Sequence, residues 1–299
     1  MKKTITTLLV LMCAIMAQAQ VKIATKLEKG MKTVYTCHLI TKAAGMEIVV
    51  DSKNSYVVTD KLDDGYIVTQ TLEEMTSSGG DETTRAAMTV TQKMLLNVPV
   101  VLKTDLNGRI VDFVNFEEAK KLMTDGIGKI YDEIVKTNSF FAMQTSKEAF
   151  VTMAQSTMTV EQMLKGVRDL PTSPMALNGL TIKNGDKAIT TNAQGLKMET
   201  TYTVSQDGRT INSDAVLKMT EDDVKAFVIE QVAKTAPQQV EAVKQNFDML
   251  KASGLLKVEA NDKIDYKLKA NGWMDTIVLK QNMVLMGQNV VTEATIKAE

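Results

Sequence analysis

The chain has 299 residues, of which 44% are hydrophobic and 24% charged, a composition that excludes disordered and fibrous proteins. Lys and Arg number 35 against 36 Asp and Glu, which gives a net charge of −1. A nucleic-acid binder normally carries a basic face, so we expect no nucleic-acid partner. The single histidine excludes most histidine-based metal sites, and we expect neither a metal nor a cofactor.

Residues 1–19 have the pattern of a cleavable export signal. Two lysines give a basic start, residues 5–16 form a short, mostly apolar run, and residues 17–19 supply the small-x-small pattern of a cleavage site. The apolar run is shorter than the roughly 20 residues that cross a bilayer. We therefore predict cleavage after Ala19, a mature chain of residues 20–299 without a transmembrane anchor, and a periplasmic or extracellular location.

The two cysteines of the chain differ in their predicted roles. Cys13 lies inside the export signal, but Met12 precedes it where lipid attachment requires a small residue, so we do not expect a lipoprotein. Cys37 is then the only cysteine of the mature chain and cannot form an internal disulfide. It alternates with Tyr35 and Leu39 on one face of a strand-like run, and we expect a buried, unreactive thiol.

The first half of the mature chain is predicted to begin with strands. Apolar residues recur mostly at every second position from 33 to 72, with polar breaks at residues 42–45, 51–54 and 60–65, which is typical of antiparallel strands with one wet face. Residues 85–95 are ambiguous between strand and helix, and we favour a strand. The Asn107-Gly108 pair between two apolar runs predicts a hairpin, because these residues adopt positive backbone angles at low cost.

Helices are predicted to follow this hairpin. Asn115, with Glu118 three residues later, has the pattern of a helix cap, and apolar residues then recur at helical spacing from 116 to 134. Two glycines weaken the middle of this helix. Further helical patches cover residues 147–156 and 160–169.

A second group of strands and helices completes the chain. Strands are predicted over residues 187–191, 196–205 and 209–219, helices after Thr220 and from Pro237, and three final strands over residues 255–270, 273–286 and 290–297. Segregated strands and helices indicate an α+β fold. We expect a large curved antiparallel sheet, half-barrel-like, partly covered by helices, with residues 20–299 forming one domain or two closely packed lobes.

The sequence carries no recognisable catalytic motif. It lacks the patterns of serine hydrolases, zinc proteases, P-loop enzymes and calcium-binding loops. The adjacent carboxylates lie in turns or first helical turns, where solvation explains them. His38, the only imidazole, is expected to be a half-exposed strand residue on the face of Thr36 and Ile40. We therefore predict no catalytic residues.

Methionine is the compositional anomaly, with 20 in the chain. Methionine and phenylalanine crowd the middle helices, and thioether side chains adapt to irregular gaps and to varied apolar ligands. One hypothesis is a simple methionine-rich core. The other is an apolar cavity lined by Phe140, Phe141, Met143, Phe150, Met153, Met158 and Met163.

Two stretches carry a resemblance to a known family. They are residues 103–113, with the helix start at Glu117-Glu118, and Asn271-Gly272-Trp273 before a long amphipathic strand. With the export signal and residues 27–31, they resemble a family of exported proteins from Bacteroidota-type bacteria. That family is similar in layout to the periplasmic half-barrels of the LolA and LppX type, which carry lipoproteins and lipids. The resemblance implies a curved sheet that clasps helices over an apolar cavity, and it implies no individual site residue.

Three function classes follow from these patterns. The first is a non-catalytic carrier or binder of an apolar ligand, such as a lipid, an acyl chain or a lipoprotein, in the cell envelope. The second is an envelope or secreted interaction protein with a solid core and a protein partner, and the third is an enzyme. A continuous apolar void between sheet and helices would favour the carrier, whereas dense packing would favour the interaction protein. Trp273, after its turn, is expected to be a structural anchor.

Overall fold

A computed structural model describes residues 20–156, 158–192, 195–235, 237–253, 256–285 and 287–299. The predicted export signal, residues 1–19, lies outside the described residues. The strands are β1 (Gln20–Lys22), β2 (Lys32–Ala43), β3 (Met46–Lys61), β4 (Gly65–Gly79), β5 (Pro99–Asp105), β6 (Ile110–Phe113), β7 (Thr181–Lys183), β8 (Lys187–Thr191), β9 (Lys197–Val204), β10 (Thr210–Leu217), β11 (Val258–Leu268), β12 (Met274–Leu285) and β13 (Gln288–Ala298).

Eleven of these strands form one open antiparallel sheet in the order β6-β5-β4-β3-β2-β13-β12-β11-β10-β9-β8, and β1 pairs with β7. The centre of the sheet joins segments that are far apart in sequence, because β13 pairs with β2 from Val290↔Ala43 to Ala298↔Tyr35. The predicted α+β class with a large curved antiparallel sheet is confirmed.

Helices occupy the connections between strand groups. They are α1 (Glu82–Leu95), α2 (Phe116–Thr137), α3 (Ser139–Gln144), α4 (Lys147–Ser156), α5 (Val160–Arg168), α6 (Glu221–Thr235), α7 (Val240–Gln245) and α8 (Phe247–Ala252). The single helix expected from Pro237 is instead a 3₁₀ turn, Pro237–Gln239, followed by the short helices α7 and α8.

The strand favoured for residues 85–95 is wrong, because this segment is helix α1. Asp81 begins the helix, with its carboxylate accepting a hydrogen bond from the backbone N–H of Thr84 at 2.8 Å. The helix packs on α2 at Gly126, where the Met94 side chain occupies the space that a Cβ atom would need. Tertiary packing and a good cap here override the strand preference of a segment rich in Thr.

The start of helix α2 is as predicted, but Asn115 does not cap it through its side chain. Its amide oxygen accepts a hydrogen bond from Val101 N at 2.8 Å, and its amide nitrogen donates to the Pro99 carbonyl at 2.9 Å. Asn115 therefore fixes the helix start to strand β5.

One side of the sheet, which we call the covered face, carries two apolar cores. The larger core includes Trp273, which is only 1% exposed and packs against the rings of Tyr35 and Tyr56. Its indole N–H donates to the Met31 sulfur at 3.3 Å, so Trp273 lies where a structural anchor should. The smaller core joins the sheet to α6 and α8 through Leu196, Met198, Ala215, Phe227, Val228, Val232, Phe247, Leu256, Ala260 and Met283.

The opposite side, the solvent face, is polar at the centre of the sheet. His38 lies directly across from Asp51, and its Nδ1 is 2.7 Å from the Asp51 carboxylate. Lys53 forms an ion pair with Glu299 beside them. The sequence prediction of an exposed strand position for His38 agrees with this placement.

Candidate functional site

A row of polar side chains crosses the covered face between the two apolar cores. The pairing of six neighbouring strands, β9 to β13 and β2, places one residue of each strand in a single row. In order across the sheet, the row is Thr200, Ala215, Asp262, Gln281, Thr292 and Thr41. We call Thr41, Thr200, Asp262, Gln281 and Thr292 the polar seam.

The rows on either side of the polar seam are largely apolar. On one side the register continues through Ala260, Met283 and Val290, which contribute to the smaller core. On the other side it continues through Ile264 and Leu279 to the larger core. The polar seam is therefore a boundary between cores rather than part of the wet face of the sheet.

Asp262 is the charged member of the polar seam. The residue is only 5% exposed, and its Oδ1 accepts a hydrogen bond from Gln281 Nε2 at 2.9 Å. Burial raises the pKa of the Asp262 carboxyl, because it removes water from around the charged form. The hydrogen bond from Gln281 lowers the pKa, but by less. Within the described part of the chain, Gln281 is the only group that donates to this carboxyl.

A cleft of about 320 Å³ opens beside Asp262. We call it the seam cleft; it lies between the covered face of β8–β11 and the segment from α5 to β7. Its volume falls in the lower part of the range for small-molecule sites, which are mostly apolar with a few placed polar groups. Its apolar lining includes Pro171, Ala176, Leu177, Leu180, Ile189, Met198, Ala215 and Ile264.

Hydroxyl groups supply the other polar atoms of the seam cleft. The hydroxyls of Thr190 and Thr200 are 2.8 Å apart, and Ser213, Tyr202 and Tyr266 also line the cleft. Burial raises the pKa of the Tyr202 phenol, so this group stays protonated at neutral pH and can donate or accept a hydrogen bond. The cleft can thus hold an apolar body and one polar end.

One wall of the seam cleft is fixed by hydrogen bonds to the turns at Gly108 and Gly272. The hydroxyl of Thr25 donates to Asn178 Oδ1 at 2.9 Å and lies 3.2 Å from the Gly272 carbonyl, while Asn178 Nδ2 donates to the Gly108 carbonyl at 3.0 Å. Gly272 has a φ of +85°, and a Cβ atom there would overlap the Ala24 carbonyl. These contacts hold the wall in place without a ligand.

The seven residues predicted to line a cavity do not line the seam cleft, and the structure separates them. The rings of Phe141 and Phe150 pack against each other and against Tyr131, which is buried. Met158 is buried, and Met163 packs against the larger core.

The other three members of that set are exposed to solvent. Phe140 is 61% exposed, Met143 83% and Met153 50%. Helices α3 and α4 therefore turn one set of apolar side chains toward Tyr131 and present another to solvent.

Two further clefts flank the central strands. One, of about 240 Å³, lies between α5 and the covered face and includes Tyr35, Tyr56 and Cys37. The other, of about 450 Å³, lies on the solvent face beside His38 and Asp51. Cys37 is half-buried rather than fully buried, and burial raises the pKa of its thiol, which disfavours the reactive thiolate.

Asp262 and Gln281, the central pair of the polar seam, are the residues that sequence analysis missed. A signal was present, because Asp262 interrupts the inward-facing series Ala260, Ile264 and Tyr266. An acidic residue at an inward position of an alternating strand indicates either a partner on a neighbouring strand or a site. The partner, Gln281, could be identified only from the pairing of β11 with β12.

Comparisons with known proteins give only distant structural similarity. Neither a protein-family model nor a curated protein matches the chain. Among solved structures, the chain is similar to lipovitellin, described for its lipid–protein interactions, at 6% identity and a TM-score of 0.40 over 91% of this chain. The match spans 25% of the lipovitellin chain.

Two bacterial structures are similar at still lower scores. One is a porin-like protein from Bacteroides uniformis, with 9% identity and a TM-score of 0.19 over 92% of this chain and 99% of the other. The other is an outer membrane channel from Pseudomonas putida, with 5% identity and a TM-score of 0.20 over 92% and 98% of the two chains. At these scores the function has to be argued from the site itself. Among the described residues, no helix is both long and apolar enough to cross a bilayer.

Proposed function

We propose that this protein is an exported, non-catalytic binder or carrier of an amphipathic apolar ligand, held in the seam cleft. The observation that carries the proposal is a cleft with apolar walls and a buried carboxyl group at the boundary between two cores. The pattern of residues 1–19 supports export to the cell envelope. The layout that resembles LolA-type and LppX-type carriers supports a lipid or acyl chain as the ligand.

Apolar burial would supply most of the affinity. Each methylene that enters the cleft contributes about 0.8 kcal/mol, before the cost of immobilising the chain. Leu177 and Met198 are buried in the walls, so the cleft offers a dry surface for such a chain. Affinity should therefore rise with alkyl chain length until the cleft is full.

The polar atoms would orient the ligand rather than react with it. The hydroxyls of Thr190, Thr200 and Ser213 line the same cleft as the Asp262 carboxyl. Among the described residues, none of these hydroxyls is hydrogen-bonded to that carboxyl, as activation of a hydroxyl nucleophile by a base requires. His38, the only imidazole, lines the cleft on the solvent face of the sheet. This separation favours a binding function over catalysis.

A second candidate function is protein interaction through helices α3 and α4. It is favoured by the exposure of Phe140, Met143 and Met153, since exposed apolar side chains that gather in a patch mark interaction sites. On this hypothesis the protein has a partner in the envelope and needs no ligand in the seam cleft.

Titration with N-phenyl-1-naphthylamine, an uncharged dye that fluoresces when it leaves water, tests the proposal. Residues 20–299 should bind the dye saturably. Displacement of the dye by n-alkanols should show an alkanol affinity that rises with chain length. Ala176→Phe, which places a ring in the cleft, should weaken dye binding by at least about tenfold, a loss of ~1.4 kcal/mol. Ala252→Phe, at an exposed position of α8, is the matched control and should bind as the wild type does.

The same assay separates the two candidate functions. Met153→Glu places a charge on the α4 surface outside the seam cleft. If this variant loses the dye while Ala176→Phe keeps it, the apolar site is on the helices and the seam cleft is not the ligand site. Absence of any saturable binding in the wild type would reject the carrier function.

A further inference from the structure

The buried carboxyl of Asp262 lacks a cationic partner within the described part of the chain. Among the described residues, no Lys, Arg or His forms an ion pair with it. The neighbouring Lys263 points to the solvent face, where its Nζ is 3.7 Å from Asp214. Folding therefore places the Asp262 carboxyl, which is usually ionised at neutral pH, where water is scarce. This costs free energy unless the carboxyl binds a donor or a cation.

The hydrogen bond from Gln281 uses only one side of this carboxyl. Gln281 Nε2 donates to Oδ1, and in the described structure no group donates to Oδ2. Because Asp262 lines the seam cleft, a ligand there can reach the carboxyl. A ligand donor at this position would complete the hydrogen bonding of a group that is otherwise half satisfied.

The charged groups at the cleft differ in burial. Lys165 and Asp169 line it from the α5 side, but both are exposed, and Asp169 is paired with Arg168 at 2.9 Å. Water and salt screen these exposed charges, whereas Asp262 acts in a region of low dielectric. Asp262 is therefore the charge that a ligand inside the cleft would meet most strongly.

We infer that the seam cleft selects amphipathic ligands with a cationic head, such as an alkylammonium group, which Asp262 and the neighbouring hydroxyls bind. This inference rests on the proposed function and specifies its ligand class. An ammonium group has three donors and no acceptor, so it can pair with Asp262 Oδ2 and still offer donors to a hydroxyl of the cleft lining, such as that of Ser213 on the neighbouring strand. A carboxylate head would instead be repelled by Asp262.

Three ligands of equal chain length test the inference: dodecylammonium, dodecanol and dodecanoate, each measured by displacement of N-phenyl-1-naphthylamine at pH 7. Wild-type protein should bind dodecylammonium at least about tenfold more tightly than dodecanol. A charge-assisted hydrogen bond is more favourable in free energy than a neutral one, and the difference corresponds to about this ratio of affinities. Dodecanoate should bind most weakly. This comparison needs no variant, so a folding defect cannot obscure it.

Asp262→Asn should then abolish the preference between dodecylammonium and dodecanol, so that the ratio of the two affinities falls to about one. Circular dichroism and urea unfolding verify that the variant is folded. If all three ligands bind equally, the proposed function stands and the cationic selectivity is wrong. If dodecanoate binds most tightly, the head group meets Lys165 and the inference is again wrong. If no ligand displaces the dye and the dye does not bind, the proposed function itself fails.

Discussion

Two aspartates of the sheet each lie directly across from a side chain that contains nitrogen. Asp51 faces His38 on the solvent face, and Asp262 faces Gln281 on the covered face. Asp51 is paired with His38 at 2.7 Å, and their side chains are 58% and 52% exposed. Asp262 is paired with Gln281 at 2.9 Å, and the residue is almost fully buried. The two pairs have similar geometry, but water surrounds only the first.

The comparison shows that burial decides what a carboxyl group can do in this sheet. An exposed ion pair gains little, because water already solvates both charges. A buried carboxyl with a neutral partner, such as Asp262, loses the water that would stabilise its charged form, so its pKa rises. The covered face therefore contains both apolar cores and a buried carboxyl group to which Gln281 is the donor.

Removal of the Trp273 ring should have the largest effect on the covered face. Trp273→Ala should lower the free energy of unfolding by about 3–5 kcal/mol, the cost of a large aromatic cavity, because the ring is buried between Tyr35 and Tyr56. Urea unfolding followed by circular dichroism measures the loss. Phe140→Ala, an exposed aromatic truncation, should change stability by less than about 0.5 kcal/mol. Equal losses in the two variants would show that Trp273 is not an anchor.

Neutralisation of Asp262 should have a smaller effect that depends on pH. The folded-state pKa is raised above the unfolded value, so the folded state binds the proton more tightly, and stability falls as pH rises from the unfolded pKa through the folded pKa. Asp262→Asn should therefore stabilise the protein relative to wild type at pH 7, by on the order of 1 kcal/mol. This gain should shrink as the pH is lowered toward 4.

Unfolding in urea at a series of pH values measures this difference. Asp51→Asn is the matched control on the solvent face, and it should not stabilise the protein at pH 7, because this carboxyl is exposed to water. If Asp262→Asn is less stable than wild type by the same amount at every pH, the carboxyl is a structural acceptor and carries no burial cost.

The His38–Asp51 pair on the solvent face should contribute least to stability. His38→Ala and Asp51→Asn should each change the free energy of unfolding by less than about 1 kcal/mol, and the double variant should show a coupling of about 0.2–1 kcal/mol at low salt. Added salt should reduce this coupling, since exposed charges are screened. A coupling above 2 kcal/mol that is insensitive to salt would mean that the pair is not solvated as described.

The sequence predicted the features of the fold that depend on neighbouring residues. The alternation of the strands, the Asn107-Gly108 and Asn271-Gly272 turns and the start of helix α2 all follow from local chemistry, and the structure has them. Helix α1 was missed because its threonines favour a strand, whereas its cap at Asp81 and its packing at Gly126 decide for a helix.

The candidate site could not be predicted in the same way. Thr41, Thr200 and Asp262 share one row only because six strands, β9 to β13 and β2, pair in a particular register. The crowding of Met and Phe suggested a cavity near residues 140–163, but short helices can turn their apolar side chains either toward each other or outward. The assignment of those residues to a ligand site stays a prediction.

The position of β13 at the centre of the sheet has a consequence for how the chain assembles. A ribosome makes β2 early and β13 late, yet these two strands are neighbours. Until β13 arrives, β2 and β12 each present an unpaired edge, and open edges are templates for aggregation. The long loop that must close before they pair also slows folding. A chain that still lacks its final strand therefore leaves the edges of β2 and β12 open at the same time.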